Sequence, residues 1–405
     1  MKWLGRGYQP SRSVWYDFRD RAGKYIDQLH EQLVGLAIDQ GYLDPSTGAL
    51  DGSSVAACAS RHRMVNSATL KRRKSLLQGL VDSQAFDPGD IPRWVPPTAT
   101  GRAHLLDRMN QAEEILRQRL QQNEARRSDK RKDPSKIVVS LSDPEAPLGL
   151  DKRKTYRPLY TVQKMVDPVS HLTMSYTCEA ATGDAGMLIP MIDKTQQIVA
   201  GRLKNVLADC GYCSILDMRD SVDRRIELIA PVSASGTTRQ VKSRSGEPQL
   251  PREQFQFNAE SNHYVCPRGE ILRYKDREKK KRSGERFLYQ SRYQCDSMTC
   301  NACPLAGQCL SGKGGRMIKR SEGEELLEAQ REKMQSDHAK QFYALRGQSV
   351  ELVFADEKGK RRHDRFHGSG LTRVRAETGL LTLARNLFRF DKLQRNAANP
   401  TKTAA

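Results

Sequence analysis

The 405-residue sequence has no run of about 18 apolar residues, so no membrane-spanning helix is expected. Its start also lacks the apolar stretch of a secretory signal peptide, which predicts a cytoplasmic protein with no membrane partner. Acidic residues are in deficit, with 48 Asp and Glu against 68 Lys and Arg. The resulting net charge of +20 indicates a polyanionic partner, with nucleic acid as the first interpretation. A solvated basic surface or a ribosome-associated protein is the alternative.

Hydrophobic spacing and β-branched runs predict an α/β fold with a mixed sheet. Helical spacing covers 14–40, 68–90, 101–133 and 184–203, and Pro190 is expected to delay or kink the last of these. Short strands are predicted over 49–56, 136–141, 159–163, 171–177, 205–209 and 225–230. No internal repeat is present in the sequence.

The composition divides the chain into five predicted regions. The first is a helical amino-terminal segment, and the second is the first part of the core with a charged helical insert at about 68–135. A basic, cysteine-rich insertion, a helical carboxyl-terminal part of the core and a disordered basic tail follow. Their predicted bounds are 1–45, 46–231, 232–325, 326–392 and 393–405.

Three acids are candidates for a metal site. Asp51 and Asp209 each end a predicted strand, where active groups of open α/β sheets tend to lie. Carboxylate oxygens suit Mg²⁺, and two such ions can hold the attacking and leaving oxygens of a phosphoryl displacement. Glu351 is the third acid, and on a continuous helix Lys358 would lie about 20° from it around the axis. Taken singly, each Asp also suits a turn or cap, and Glu351 a surface ion pair.

Four segments together resemble insertion-sequence transposases that carry a DDE triad of acids. The first two are an acid-bearing strand and an apolar strand followed by Asp-x-Gly-Tyr; the others are a Tyr…Arg…Glu…Lys signature and a closing Ala-Arg-Asn-Leu helix. In this chain they are Leu50-Asp51-Gly52-Ser53, Val206 to Tyr212, Tyr343 with Arg346, Glu351, Phe354 and Lys358, and His367 to Leu387.

The resemblance implies an RNase H-like mixed β-sheet flanked by helices, with an inserted cysteine-containing subdomain. It implies that Asp51, Asp209 and Glu351 bind Mg²⁺ or Mn²⁺ and that the enzyme cuts and joins DNA. Tyr343, Arg346 and Lys358 would contact the transposon ends. The basic run at 358–363, with Arg361 and Arg362, is expected to neutralise DNA phosphates as well.

The resemblance further implies a homodimer acting on paired transposon ends and on target DNA, in the nucleoid of a bacterial cytoplasm. The chain departs from the family in having only 50 residues before its first acid, and in Ala355, where Gly is common. Asp356 and Glu357 are rival acids outside the signature spacing. Two alternatives stay open: a truncated or domesticated derivative that binds DNA without transposing, and a zinc-containing nucleic-acid-binding protein.

Five of the nine cysteines lie late in the chain, which in a reducing compartment favours metal over disulfides. A structural Zn²⁺ is expected in an insertion too polar to form its own core. The preferred ligands are Cys266, Cys300, Cys303 and Cys309, with Cys295 as the spare or replacement. Free thiols in a basic loop are the alternative. Cys210 and Cys213 are interpreted as packed small residues, and Lys279 to Arg282 as a phosphate contact or a solvated loop.

Overall fold

The structure is a computed structural model that describes residues 10–82, 91–233, 241–281 and 287–399. The chain separates into two compact units: unit 1 is Met1–Leu207 with Ala344–Ala405, and unit 2 is Ala208–Tyr343. Unit 2 contains the predicted insertion 232–325 and extends beyond it at both ends. In the described part of the chain, no helix is long and apolar enough to cross a membrane.

The described residues form twelve α-helices and thirteen strands. The helices are α1 (Arg12–Ala22), α2 (Ile26–Asp39), α3 (Ser67–Asp82), α4 (Ala99–Glu124), α5 (Leu188–Ile198), α6 (Ile215–Asp223), α7 (Ser297–Ala302), α8 (Ala306–Cys309), α9 (Glu324–Lys333), α10 (Asp337–Gly347), α11 (Val350–Ala355) and α12 (Leu371–Ala398). The strands are β1 (Thr47–Ala56), β2 (Met64–Val65), β3 (Val139–Ser140), β4 (Leu148–Leu150), β5 (Tyr156–Val166), β6 (Thr173–Glu179), β7 (Asn205–Leu207), β8 (Glu227–Ile229), β9 (Gln256–Asn258), β10 (His263–Val265), β11 (Ile271–Lys281), β12 (Phe287–Gln294) and β13 (Met317–Ser321).

The sheet of unit 1 has the order β4-β5-β1-β7, and β6 pairs with the opposite end of β5. β1 runs antiparallel to β5 and parallel to β7, so the predicted mixed α/β fold is confirmed. β5 is buried from Pro158 to Val166 without alternation, which is typical of a strand covered on both faces. The acid-bearing strand therefore lies between two neighbours in the interior of the sheet.

Helix α12 closes unit 1 by packing against α1, α2 and β6. The amide of Asn386 accepts from Thr173 N (3.0 Å) and donates to Thr173 O (2.8 Å), while His30 Nε2 lies 2.9 Å from the same carbonyl. Burial lowers the pKa of His30 to about 4, so this imidazole is neutral at pH 7. The Asn of the Ala-Arg-Asn-Leu segment therefore joins α12 to α2 and the edge of β6.

The predicted helix 14–40 is wrong in its continuity, because the chain breaks between α1 and α2. A Cβ on Gly23 would lie 2.7 Å from the Cβ of Ala376, so only glycine allows this close approach to α12. Pro190 lies in the first turn of α5, which begins at Leu188 rather than 184, as a delayed start predicts.

Two predicted ends also differ from the structure. The helix predicted to 133 ends at Glu124, because the Asn123 side chain bonds both the N–H and the carbonyl of Lys132 and turns the chain back. The disordered tail predicted from 393 is wrong up to Ala398, since α12 continues to that residue. Residues 83–90, the end of another predicted helix, and 400–405, the end of the tail, lie outside the described residues.

Unit 2 contains an antiparallel sheet with the order β13-β12-β11-β10-β9. Its core includes Tyr264, Leu272, Tyr293 and Ile318, all at most 3% exposed. The expectation that the insertion is too polar to form a core is therefore wrong. The same unit holds β8, α6 and α9, where the Gln330 amide donates to the carbonyls of Leu228 (3.1 Å) and Ala230 (3.0 Å).

Candidate active site

Asp51 lies in the middle of β1, not at its end as the sequence predicted. Side chains alternate along a strand, so Asp51 shares a face with Ser53, and its register partner on β5 is Lys164. The Asp51 side chain is 16% exposed, and its Oδ1 accepts from Gly52 N at 2.9 Å. A mostly buried carboxylate inside a sheet needs a compensating charge.

Arg346 supplies that charge and also reaches Glu351. Its Nη2 lies 2.9 Å from Asp51 Oδ1, and its Nη1 donates to Glu351 Oε1 at 2.9 Å. The Ser349 hydroxyl donates to Leu345 O where α10 ends, and Glu351 falls in the first turn of α11. One guanidinium therefore brings together two of the three predicted acids. Arg346 is buried on these acids, and its predicted contact with DNA stays a prediction.

Lys358 reaches the same face of β1 by a route that the sequence did not predict. Residues Asp356–Lys360 form a π-helical turn, so the 20° offset from Glu351 expected on a continuous α-helix is wrong. The Lys358 ammonium donates to Ser53 Oγ and to Ser54 O, both at 2.6 Å. Burial, with a smaller effect of the Lys152 charge, lowers the pKa of Lys358 to about 8.

Lys358→Met is expected to remove a pH dependence of DNA binding between pH 7 and pH 9. The wild-type amine loses its charge as pH rises through about 8, and one lost phosphate contact weakens binding roughly eightfold at about 0.1 M salt. The measurement is the Kd for duplex DNA across this range at constant ionic strength. Lys360→Met, at an exposed position two residues on, is the control and should keep the wild-type profile. A K358M protein with that profile would show that another group titrates.

A buried ion pair holds the π-helical turn against the sheet. Lys164, which is fully buried, pairs with Glu357 and donates to Thr382 Oγ1 at 2.9 Å. Burial lowers the pKa of Lys164, and the Glu357 charge opposes that shift. Glu357 is thus a structural anchor between β5 and α12, and it is not free to act as the rival acid considered from the sequence.

Lys164→Met is expected to destabilise unit 1 by about 3–5 kcal/mol, because it leaves the Glu357 charge buried and unpaired. The double variant Lys164→Met/Glu357→Leu should recover most of this loss. The free energy of unfolding from urea titration measures both. Lys74→Met breaks the exposed pair with Glu113 and should change stability by less than about 1 kcal/mol. Equal losses of stability in Lys164→Met and Lys74→Met would contradict the assignment of Lys164 and Glu357 as a buried ion pair.

Asp209 lies in unit 2, two residues after the last residue of β7. It caps the 3-10 turn Cys210–Tyr212 by accepting from Gly211 N at 2.7 Å. Cys213 is buried, as its interpretation as a packed residue requires, whereas Cys210 is exposed, contrary to that interpretation. The predicted meeting of Asp209 with the other two acids stays a prediction.

The remaining predicted DNA contacts differ in their surroundings. Tyr343 is half-buried on α10. Arg361 pairs with Asp356 at 3.0 Å and lies over the Phe388 ring at 5.6 Å. Arg362 is exposed and has a left-handed backbone with φ of 53°. Their role in DNA binding stays a prediction.

Residues 265–390 match the family model described as Transposase DDE domain. This segment is similar to a transposase DDE domain. The match supports the insertion-sequence DDE transposase predicted from the sequence, an enzyme class that acts on DNA and generally uses divalent metal ions. The chain has no significant match to a curated protein or to a solved structure. Glu351 and Lys358 lie inside the matched segment, whereas Asp51 and Asp209 precede it.

The matched DDE domain also contains the five late cysteines, which surround one small cavity of about 30 Å³. Backbone N–H groups of Arg268, Leu305 and Arg316 donate to the sulfurs of Cys266 (3.3 Å), Cys303 (3.4 Å) and Cys300 (3.4 Å) respectively. Burial, the Cys300 hydrogen bond and nearby sulfur charges raise the pKa of Cys295 to about 12. The fold has therefore gathered all five thiols, with N–H donors on three of them.

The basic run predicted as a phosphate contact or a solvated loop belongs to strand β11 from Lys279 to Lys281, so it is not a loop there. Arg282 lies outside the described residues. The Lys279 ammonium lies 4.0 Å from the Phe287 ring centre, and the Arg277 guanidinium 4.1 Å from that of Tyr289. Cations alternating with aromatic rings on a two-stranded ribbon suit a nucleic-acid surface as well as a solvated one.

In the part of the chain that the structure describes, no group of three or more His, Cys, Asp or Glu side chains is arranged to hold a metal ion. The donor sets nevertheless have the right chemistry. Asp51 and the 55% exposed Glu351 offer hard oxygens within reach of solvent, and the cysteine cluster offers soft sulfurs.

Sequence reasoning overlooked two features of the site. Lys164 stands in a strand that is buried from Pro158 to Val166, and a charge in that position is itself the signal of a buried pair. The triplet Arg61-His62-Arg63 follows the first acid strand, and its clustered positive charge was equally visible.

Proposed function

We propose that this chain is a divalent-metal-dependent DNA transposase. It cleaves a phosphodiester at the ends of its element, and the freed 3′-hydroxyl attacks target DNA. The observation that carries the proposal is the junction of Asp51 and Glu351, 300 positions apart in the sequence, on the Arg346 guanidinium. Distant carboxylates brought to one place by a fold are what a polynucleotidyl transferase needs.

Asp209 completes the proposed triad, and chain connectivity supports this. β7 pairs in parallel with β1 up to Leu207 opposite Ala49. Asp51 and Asp209 each follow these paired residues by two positions. Two residues of chain span at most about 7 Å, so the Asp209 backbone cannot stray far from the end of β7.

The residues of the site have separable tasks in this proposal. Mg²⁺ or Mn²⁺, when bound, would stabilise charge on the attacking and leaving oxygens. Asp51, Asp209 and Glu351 provide the ligand oxygens, with Arg346 as their counter-ion before loading. Lys358, whose ammonium is fixed by Ser53 and Ser54, orients a DNA phosphate beside Asp51. Tyr343, Arg346, Arg361 and Arg362 make further contacts to the ends.

The proposal includes an RNase H-like class for the mixed sheet and a homodimer that holds paired ends. A second candidate is a truncated or domesticated derivative that binds DNA without cutting it. The observation that favours it is the Arg346 bridge itself, since a guanidinium that satisfies two acids also suits a purely structural role.

Cleavage of DNA that carries the element's own ends separates these candidates. The proposal expects nicked product with Mg²⁺ or Mn²⁺ and none with EDTA. Binding to the ends without any cleavage would establish the derivative. A third candidate, a zinc-containing nucleic-acid-binding protein, predicts that zinc removal ends binding and that no divalent metal supports cleavage.

We further propose a structural Zn²⁺ in unit 2, with Cys266, Cys300, Cys303 and Cys309 as ligands. Three of these four already accept backbone N–H donors, which stabilise thiolate charge in the way that metal-bound sulfurs require. Cys295, hydrogen-bonded to Cys300, is the replacement ligand. The cavity between them has room for a single water-sized species.

A further inference from the structure

An open, basic cavity of about 550 Å³ lies in unit 1, beyond the carboxyl end of β1. The loop that follows β1 forms one wall, and Ser142, Arg157 and Arg365 form the rest. The lining side chains with charge or polarity are Arg61, His62, Arg63, Arg157, Arg365, Ser60 and Ser142. No carboxylate is among these lining residues, so the cavity concentrates positive charge.

Backbone hydrogen bonds hold one wall of the cavity in place. The end of β1 is joined to residues 364–366 by Ala56 N to Asp364 O (3.1 Å) and Phe366 N to Ala56 O (2.8 Å). Arg365 Nη1 then donates to the carbonyls of Ala57 (3.2 Å) and Ala59 (3.3 Å). These bonds satisfy part of the guanidinium, and none of the ion pairs in the described part of the chain includes Arg365.

The guanidinium of Arg157, which also lines the cavity, is poorly satisfied by its acidic partner. Arg157 Nε lies 2.8 Å from Asp151 Oδ2, yet this buried nitrogen has no hydrogen bond of acceptable geometry. Arg61 Nε donates to His62 Nε2 at 3.0 Å, a bond that leaves the charge of the Arg61 guanidinium in place. Four guanidinium groups line the cavity, and Asp151 pairs with one of them, Arg157, so the net charge of the cavity stays positive.

We propose that this cavity binds phosphate groups of the DNA backbone, and this rests on the proposed function for the identity of the polymer. Guanidinium forks and serine hydroxyls are groups that hold phosphate oxygens without reading sequence. The cavity continues the strand that carries Asp51, and the five residue steps from Asp51 to Ala56 span about 17 Å. That length equals the axial rise of about five base pairs, so the cavity would hold the duplex at a fixed distance from the cut.

The test is the salt dependence of DNA binding by Arg61→Gln/Arg63→Gln, measured with duplexes of unrelated sequence and no divalent metal. Two lost phosphate contacts lower the slope of log K against log salt by about 1.8, so the rise in Kd between 50 and 200 mM salt should shrink about 12-fold. Arg108→Gln/Arg117→Gln, an equal charge change on exposed positions of α4, is the control and should keep the wild-type slope. Thermal melts of both proteins check that unit 1 is folded.

An unchanged slope in Arg61→Gln/Arg63→Gln would overturn the proposal. If the slope is unchanged while the variant loses the wild type's affinity for inorganic phosphate, the cavity belongs to the free ion and the proposal is overturned. Tighter binding of duplex RNA than of DNA would do the same. The assay omits divalent metal, so it tests the cavity even in a chain that never cleaves DNA. A failure to cleave DNA counts against the proposed function alone.

Discussion

Asp51→Asn is expected to abolish Mg²⁺-dependent cleavage of DNA while leaving the Kd for DNA within about threefold of the wild type. The amide keeps the size of the carboxylate but removes the anionic ligand. Metal stabilisation of the transition state is worth several kcal/mol, so the rate should fall by at least about a thousandfold. Single-turnover cleavage of end-bearing DNA measures the rate, and a shift assay without metal measures binding. Asp209→Asn and Glu351→Gln should behave alike.

Asp107→Asn is the matched control, because it makes the same chemical change at an exposed position of α4. It should cleave at the wild-type rate. The Asp51 variant leaves Arg346 with Glu351 as its remaining partner in the bridge, so a thermal melt must accompany the assay. Full cleavage by a folded Asp51 or Asp209 variant would remove that acid from the catalytic site.

Removal of zinc is the second large effect expected, and it should unfold the cysteine-bearing sheet of unit 2. Apparent binding energies of structural zinc reach about 10–16 kcal/mol, which equals or exceeds the net stability of a domain, about 5–15 kcal/mol. The sheet keeps the core around Tyr264 and Leu272, so a partly ordered remnant is expected. Metal analysis should find one zinc ion per chain, and proteolysis should cut within 250–320 after chelation.

Cys303→Ser should reproduce the effect of the chelator, because it removes a ligand that Leu305 N–H already supports. Cys58→Ser is the control, since that thiol belongs to unit 1 and lies outside the cluster. A purified chain without zinc, as stable to proteolysis as before chelation, would show that the five thiols are free.

The sequence predicted the parts of the site that local pattern controls. Asp51 was placed on a strand by the short strand-like run 49–56, and Glu351 fell in the carboxyl-terminal region that was predicted to be helical. The Arg346 bridge could not be predicted, because Asp51 and Arg346 are about 300 positions apart and only the closed fold brings them together. The π-helical turn at Asp356–Lys360 was equally hidden, since it follows from Glu357 turning inward to Lys164.

The break between α1 and α2 shows the same limit at another place. The apolar spacing around Gly23 suits one continuous helix, whereas in the structure the break lies against Ala376 of α12, more than 350 positions later. Composition likewise suggested an insertion without a core, whereas aromatic residues from three strands meet in one cluster. Patterns within a short window specify elements, and contacts between distant segments specify where those elements stop.

The division of the chain has a consequence for the order in which it can mature on the ribosome. Unit 2 is one uninterrupted segment, whereas unit 1 is split between the beginning and the end of translation. Lys164 must wait for Glu357 and Thr382, and His30 for Asn386, until the last sixty residues are made. A chain that ends before Glu357 would therefore keep an unpaired cation in the interior of its sheet.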